Sequence, residues 1–290
     1  MVCGNQDCGF DHALHAVWFN AYKVRNLVFV ANRVTGYFDA SGGKEHPIVI
    51  VAGYLSTVGK WKRFDTEWRK ILKRKEFNVP YFHMNEFAHS TGAFADWKGN
   101  EQRRRRFIDA LIGVIVRHCK AGFACGIKDE IWSLMDDKWP LTELYGCAFA
   151  LAGRDCVNKT HFWAEQAHNY KRNEVRCVFE DGDKGKGHLI RAVEEANKPS
   201  PIFEPGRPKP ELDHPGTPAL QAADFASWEL LKAILSGKEH SPVEEYRVSL
   251  QKLSNAVPVS WTQYKETDVE QLMSLGNIRP RLSTNSGGRK

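Results

Sequence analysis

Only eight residues, 40–47, separate two β-rich runs, Val34–Asp39 and Ile48–Leu55. A parallel crossover needs roughly a dozen residues or more, usually with a helix, so these runs have to pair as an antiparallel hairpin. That excludes an opening of the Rossmann or phosphatase kind, in which strand one leads directly into a helix. Ser41-Gly42-Gly43 halts the first run and supplies the turn. A helix is predicted over 58–76, where Trp61, Phe64, Trp68, Ile71 and Leu72 form one apolar stripe. A short strand is expected at Pro80–Met84, and Asn100 is a good N-cap for the next helix. Strand Gly122–Ile127, a helix near 141–160, strand Val175–Glu180 and a short helix at 187–197 continue an α/β alternation. The proline-rich stretch 199–218 reads as a structured loop, after which Thr217 and Pro218 launch a helix to about 235. A last helix is placed at about 241–254. The expected organisation is an N-terminal extension (1–33), one α/β domain (34–255) and a C-terminal segment (256–290) with a disordered tail after Gly276.

Size and composition narrow the class further. The 290 residues can bury a full core, and 42% hydrophobic with 26% charged residues excludes a disordered or fibrous chain. No apolar run approaches a membrane span, and the opening residues lack a basic region followed by an apolar one. Seven scattered cysteines read as reduced thiols, so a cytoplasmic protein is expected. Cys125, Cys147 and Cys177 lie in apolar runs and read as inert. Cys3, Cys8, His12 and His15 have ligand chemistry but a spacing that fits no common zinc finger.

The net charge of +6 is concentrated in the first 110 residues, which hold 17 Lys/Arg against 11 Asp/Glu, while the rest is balanced at 24 and 24. Residues 60–75 alone carry eight basic residues and two acidic ones. Such clustering suits a polyanion, although a solvated helix face gives the same pattern. Arg103–Arg106 lie in the first turns of a helix, where they oppose the macrodipole, and a partner anion would explain them.

Three acids occupy positions that are not ordinary surface. Asp39 ends the first strand before a glycine-rich turn, Glu180 ends Val175–Phe179, and Asp224 shares a helix face with Leu220, Ala223, Ser227 and Leu231. Small residues let that helix approach a sheet closely, bringing Asp224 toward the strand ends where ligands gather in open α/β sheets. Each acid alone has a structural explanation: a turn acid, a surface group, a partner of an arginine. Together they fit crowded carboxylates that raise one another's pKa unless a divalent cation neutralises them. Asp181 and Asp183 compete with Glu180 as the ligand. Asp181–Gly187 lacks the spacing of a phosphate-binding Walker loop.

The segments Tyr37-Phe38-Asp39-Ala40-Ser41-Gly42, Ala52-Gly53-Tyr54, Phe82-His83-Met84-Asn85-Glu86 and Gln221-Ala222-Ala223-Asp224 resemble the domain of unknown function 3800 family of bacterial and phage proteins. The likeness spans roughly 34–235. It implies a ribonuclease-H-like mixed sheet that opens with an antiparallel hairpin and is flanked by helices. It also implies a start near Val34 and a metal site of Asp39, Glu180 and Asp224, with Glu86 as an additional glutamate; Asp183 is a metal candidate from its place beside Glu180 alone. The family usually has Glu after the first Asp, where this chain has Ala40.

The expected function is therefore metal-dependent phosphodiester hydrolysis with magnesium or manganese, in a setting of host–phage conflict. Asp39, Glu86, Glu180, Asp224 and His83 are the catalytic candidates. Ser41, Lys62, Arg69, Lys73, Arg103 and Arg104 are the candidate contacts to RNA or DNA, held through the backbone. No membrane partner is expected; a protein partner or a homo-oligomer is compatible. The alternatives are a non-catalytic nucleic-acid- or protein-binding module of the same fold, and an actin-like nucleotide-binding enzyme, which lacks its second glycine-rich phosphate loop here. Tryptophans could stack bases in a basic groove, but Trp61 and Trp68 fall on the apolar stripe.

Overall fold

The computed structural model describes residues 33–43, 46–238, 242 and 245–281. The candidate zinc residues Cys3, Cys8, His12 and His15, and the tail from 282, lie outside them. Strand β1 (Val34–Gly42) and strand β2 (Ile48–Thr57) pair antiparallel in the register Val34↔Thr57 to Gly42↔Val49. The short connection had required this. Strand β3 (Ala121–Lys128) is antiparallel to β2, strand β4 (Val175–Glu180) is parallel to β1, and strand β5 (Ile202–Glu204) is parallel to β4. Strand β6 (Val259–Tyr264) pairs parallel with β3 and completes a mixed sheet of order β5-β4-β1-β2-β3-β6.

Strand alternation divides the core into two layers. Tyr37, Ile50, Ala52 and Tyr54 face helices α1 (Val58–Leu72), α2 (Met84–His89), α3 (Glu101–His118) and the helix over Pro218–Leu235. Phe38, Val51, Leu55 and Phe179 face the other way, toward helices drawn from α4 (Asp129–Lys138), α5 (Leu141–Tyr145), α6 (Ala148–His168) and α7 (Lys186–Glu195). The Pro218–Leu235 helix is α8; α9 (Val248–Ala256) packs beside it, and α10 (Glu266–Leu275) closes the second layer with Val269 and Met273.

Several expected elements are corrected. Pro80–Met84 is not a strand: Pro80 has no N–H to give, and the Phe82 N–H goes to the Gln221 side chain at 3.0 Å instead of a neighbouring strand. The first helix stops at Leu72, whose carbonyl accepts from Val79 as the chain turns back at Asn78. The helix expected near 141–160 is two helices parted at Gly146, where φ is +76°. The last helix of the expected domain begins at Val248, not near 241. The sheet also does not end at 255, because β6 and α10 belong to its two layers. Asn100 does cap α3, its Oδ1 accepting from Arg103 N at 3.1 Å. Among the described residues no helix is long and apolar enough to cross a membrane.

Candidate active site

The site follows from the register of two strands. Phe38 and Phe179 are partners across the parallel β1–β4 pair, and their rings lie 5.3 Å apart in the second core layer. The next residue on each strand therefore points to the opposite face, just where the β1–β4 pairing ends; β1 itself, expected to stop there, runs on to Gly42. Those residues are Asp39 and Glu180. Ser41, two further along β1, shares their face and hydrogen-bonds Ser227 of α8 through the two hydroxyls at 2.8 Å. Asp224 lies one turn before Ser227, so the same contact sets it over the strand ends. Its Oδ2 accepts the Met84 N–H at 2.6 Å, which ties the start of α2 to the site.

Asp39, Glu180, Asp183 and Asp224 line one open cavity of about 330 Å³, together with Ser41 and His83. Burial, and then the charges of Glu180 and Asp224, push Asp39 well above the usual carboxylate range. Asp224 is raised to about 7, mainly by burial and then by Glu180, with the Met84 N–H and Arg207 opposing. Burial also raises Glu180 and Asp183; for Glu180, Arg207 and the Gly206 N–H pull the other way. Crowded carboxylates of this kind are stable only when protons or a cation neutralise them. Among the described residues no three His, Cys, Asp or Glu side chains are gathered as a ready coordination cage. Asp181 also lines the cavity but is paired with Lys186 at 2.9 Å, which leaves Glu180 and Asp183 as the open acids of that segment.

Glu86 is not among the residues that line the cavity, although its charge acts on Asp224. Its oxygens accept from the Tyr81 hydroxyl at 3.0 Å and the Ala93 N–H at 3.2 Å, and pair with Arg207 at 3.1 Å. Its Oε1 lies 3.3 Å from His83 Nδ1. Gly92, at φ +52°, makes room, since a Cβ there would come within 2.1 Å of Glu86 Oε2. Burial lowers the His83 pKa below its usual value, with Arg207 adding to the effect, so the imidazole on the cavity wall is largely neutral at pH 7.

The basic candidates are placed elsewhere. Lys62, Arg69, Lys73, Arg103 and Arg104 do not line this cavity. Arg69 pairs with Asp65 and donates to the Pro215 and Gly216 carbonyls. Arg103 donates to the Glu76 and Phe77 carbonyls and lies 4.1 Å from the Trp97 ring centre; Arg104 lies 4.3 Å from that of Phe87 and donates to Ser90. These two arginines have intramolecular partners, so no external anion is needed to explain them.

Among the lining residues that the sequence reading did not name as site residues are His46, Asn85, Trp228 and Lys232. Trp228 and Lys232 lie one and two turns beyond Asp224 on α8, a helical spacing that could have found them. Burial raises the thiol pKa of Cys125, of half-buried Cys147 and of Cys177, the last to about 12. No protein-family model, curated protein or solved structure matches this chain.

Proposed function

We propose that the protein hydrolyses phosphodiester bonds in nucleic acid with the help of magnesium or manganese. The observation that carries this reading is the meeting of Asp39, Glu180 and Asp224 in one open cavity where the parallel β1–β4 pairing ends. These three, with Asp183, are the residues that would hold the cation. A bound divalent ion would supply the charge that activates water and stabilises the leaving oxygen. The chain's own groups do the rest: Ser41, Asn85 and Lys232 orient phosphate oxygens, and neutral His83 can accept a proton at the cavity wall.

A ribonuclease-H-like fold is part of the same proposal. An antiparallel hairpin opening a mixed sheet flanked by helices is in keeping with it, and the resemblance to the domain of unknown function 3800 family rests on the short motifs. A cytoplasmic setting is supported by the five described cysteines, none of them in a disulfide. The second reading, a non-catalytic binding module, draws its support from the absence of a gathered coordination cage among the described residues.

The deciding experiment assays labelled single- and double-stranded RNA and DNA with magnesium, with manganese and with EDTA. Cleavage that needs metal and disappears in Asp39→Asn is expected. A wild-type protein inert on all four substrates favours the binding module.

A further inference from the structure

The loop between β5 and α8 carries a cation, Arg207, beside the carboxylate cavity though not among the residues that line it. Arg207 Nη1 donates to Glu86 Oε1 at 3.1 Å, and Glu86 is itself fixed by Tyr81 and the Ala93 N–H. The backbone beside Arg207 is equally held. The Gly206 carbonyl accepts from Thr217 N at 3.1 Å and from the buried Gln221 Nε2 at 2.9 Å. Gln221 Oε1 accepts the Phe82 N–H, so one side chain fixes both this loop and the segment that brings His83 to the cavity. Gly206 touches the site directly, since a Cβ there would approach Glu180 Oε2 to 2.8 Å.

The Arg207 side chain is 48% exposed. Glu86 and the Tyr81 hydroxyl both engage the guanidinium, and a fork of five N–H donors has further donors beyond these two. A half-exposed guanidinium held on one side by a carboxylate and a phenol is pre-organised for an oxyanion. Its charge already acts on Glu180, Asp224 and His83, which places it within electrostatic reach of all three.

We infer that Arg207 binds a non-bridging phosphate oxygen of a nucleic-acid strand beside the carboxylate cavity, with Glu86 as the positioning residue that holds its fork. The identity of the ligand rests on the phosphodiesterase reading; the anion site can be tested apart from it. Full-length protein in EDTA would be titrated with inorganic pyrophosphate, read by melting temperature, and with a labelled 12-nucleotide oligothymidylate, read by anisotropy. Circular dichroism would confirm that each variant is folded.

Arg207→Ala is expected to weaken both ligands about tenfold, and Arg207→Lys to fall between, because it keeps the charge but loses the fork. Asp39→Asn should bind at least as tightly as wild type, since it removes a negative charge. Arg207→Ala binding within twofold of wild type, or a wild type that binds neither probe, overturns the anion site. Dependence on Arg207 for pyrophosphate but not for the oligonucleotide overturns the nucleic-acid assignment. A wild type that binds both probes through Arg207 yet cleaves nothing sinks the nuclease reading and leaves this site standing.

Discussion

Asp39 and Glu180 stand one step beyond the paired Phe38 and Phe179, where the parallel β1–β4 pairing ends, and so face the same side of the sheet. This juxtaposition is fixed by backbone register, not by side-chain choice. Asp39→Asn keeps the shape and removes one of the two charges. Catalysis in the metal-supplemented assay is expected to fall by two orders of magnitude or more, about the loss seen when a principal electrostatic partner is removed. The melting temperature should not fall. Cleavage that survives the substitution would mean that the site is elsewhere.

Glu86 acts at one remove from the cavity, through Arg207 and His83. Glu86→Gln retains acceptors for Tyr81 and Ala93 but loses the charge that aligns the guanidinium. A rise in KM larger than the fall in kcat is therefore expected, because binding through Arg207 is disturbed more than the carboxylates. A collapse of kcat as deep as that of Asp39→Asn would place Glu86 among the catalytic residues themselves.

The arginines first read as nucleic-acid contacts make a different prediction. Arg69 and Arg103 each satisfy two backbone carbonyls and a carboxylate. Replacing either by Ala should cost about 1.5–3 kcal/mol in urea denaturation, a typical figure for charge-assisted hydrogen bonds. The salt dependence of oligonucleotide binding should stay as in wild type, since no phosphate contact is lost. A flatter salt slope with unchanged stability would restore the original reading.

What could be read from the chain was what depends on neighbours in sequence. The hairpin followed from a connection too short for any crossover, Glu180 from its place at the end of an apolar run, and Asp224 from a small-residue helix face. What could not be read depends on distant partners. The Phe82 N–H is taken by a side chain 139 positions away, which turns an apparent strand into coil. Strand β6 is half exposed and pairs with β3 across more than a hundred residues, so its own pattern is weak. Arg207 looks like any loop cation until Glu86 and Gly206 are set beside it.

Gln221 joins three groups from separate segments in the buried interior. Its Oε1 accepts from Trp68 Nε1 at 2.9 Å and from Phe82 N, and its Nε2 donates to the Gly206 carbonyl. Gln221→Ala strands two donors, the Trp68 Nε1–H and the Phe82 N–H, each costing roughly 1–3 kcal/mol when buried unpaired, while the Gly206 carbonyl keeps the Thr217 N–H. A loss of about 3 kcal/mol or more in urea denaturation is expected. A loss below about 1 kcal/mol would show that water replaces the amide and that Gln221 does not anchor the site.

Asp224 gives the site a pH signature in the absence of metal. Its carboxyl titrates near the usual value of 3.8 in the unfolded chain but at about 7 in the fold, chiefly because it is buried. Below about pH 4 the group is protonated in both states and costs nothing. As pH rises toward 7 the unfolded chain releases its proton while the fold must keep it or bury a charge, so stability is lost across that window. Asp224→Asn has no proton to lose. In EDTA the variant should therefore melt a few degrees above wild type at pH 8, while at pH 4 the two should differ little, each kcal/mol being worth about 2–4 °C in a domain somewhat smaller than this. Magnesium at pH 8 should raise the wild-type melting temperature and leave the variant nearly unmoved, because the cation replaces the missing proton only where the charge is present. Equal melting temperatures for the two proteins from pH 4 to 8, with and without magnesium, would show that Asp224 is neither strained nor a cation ligand.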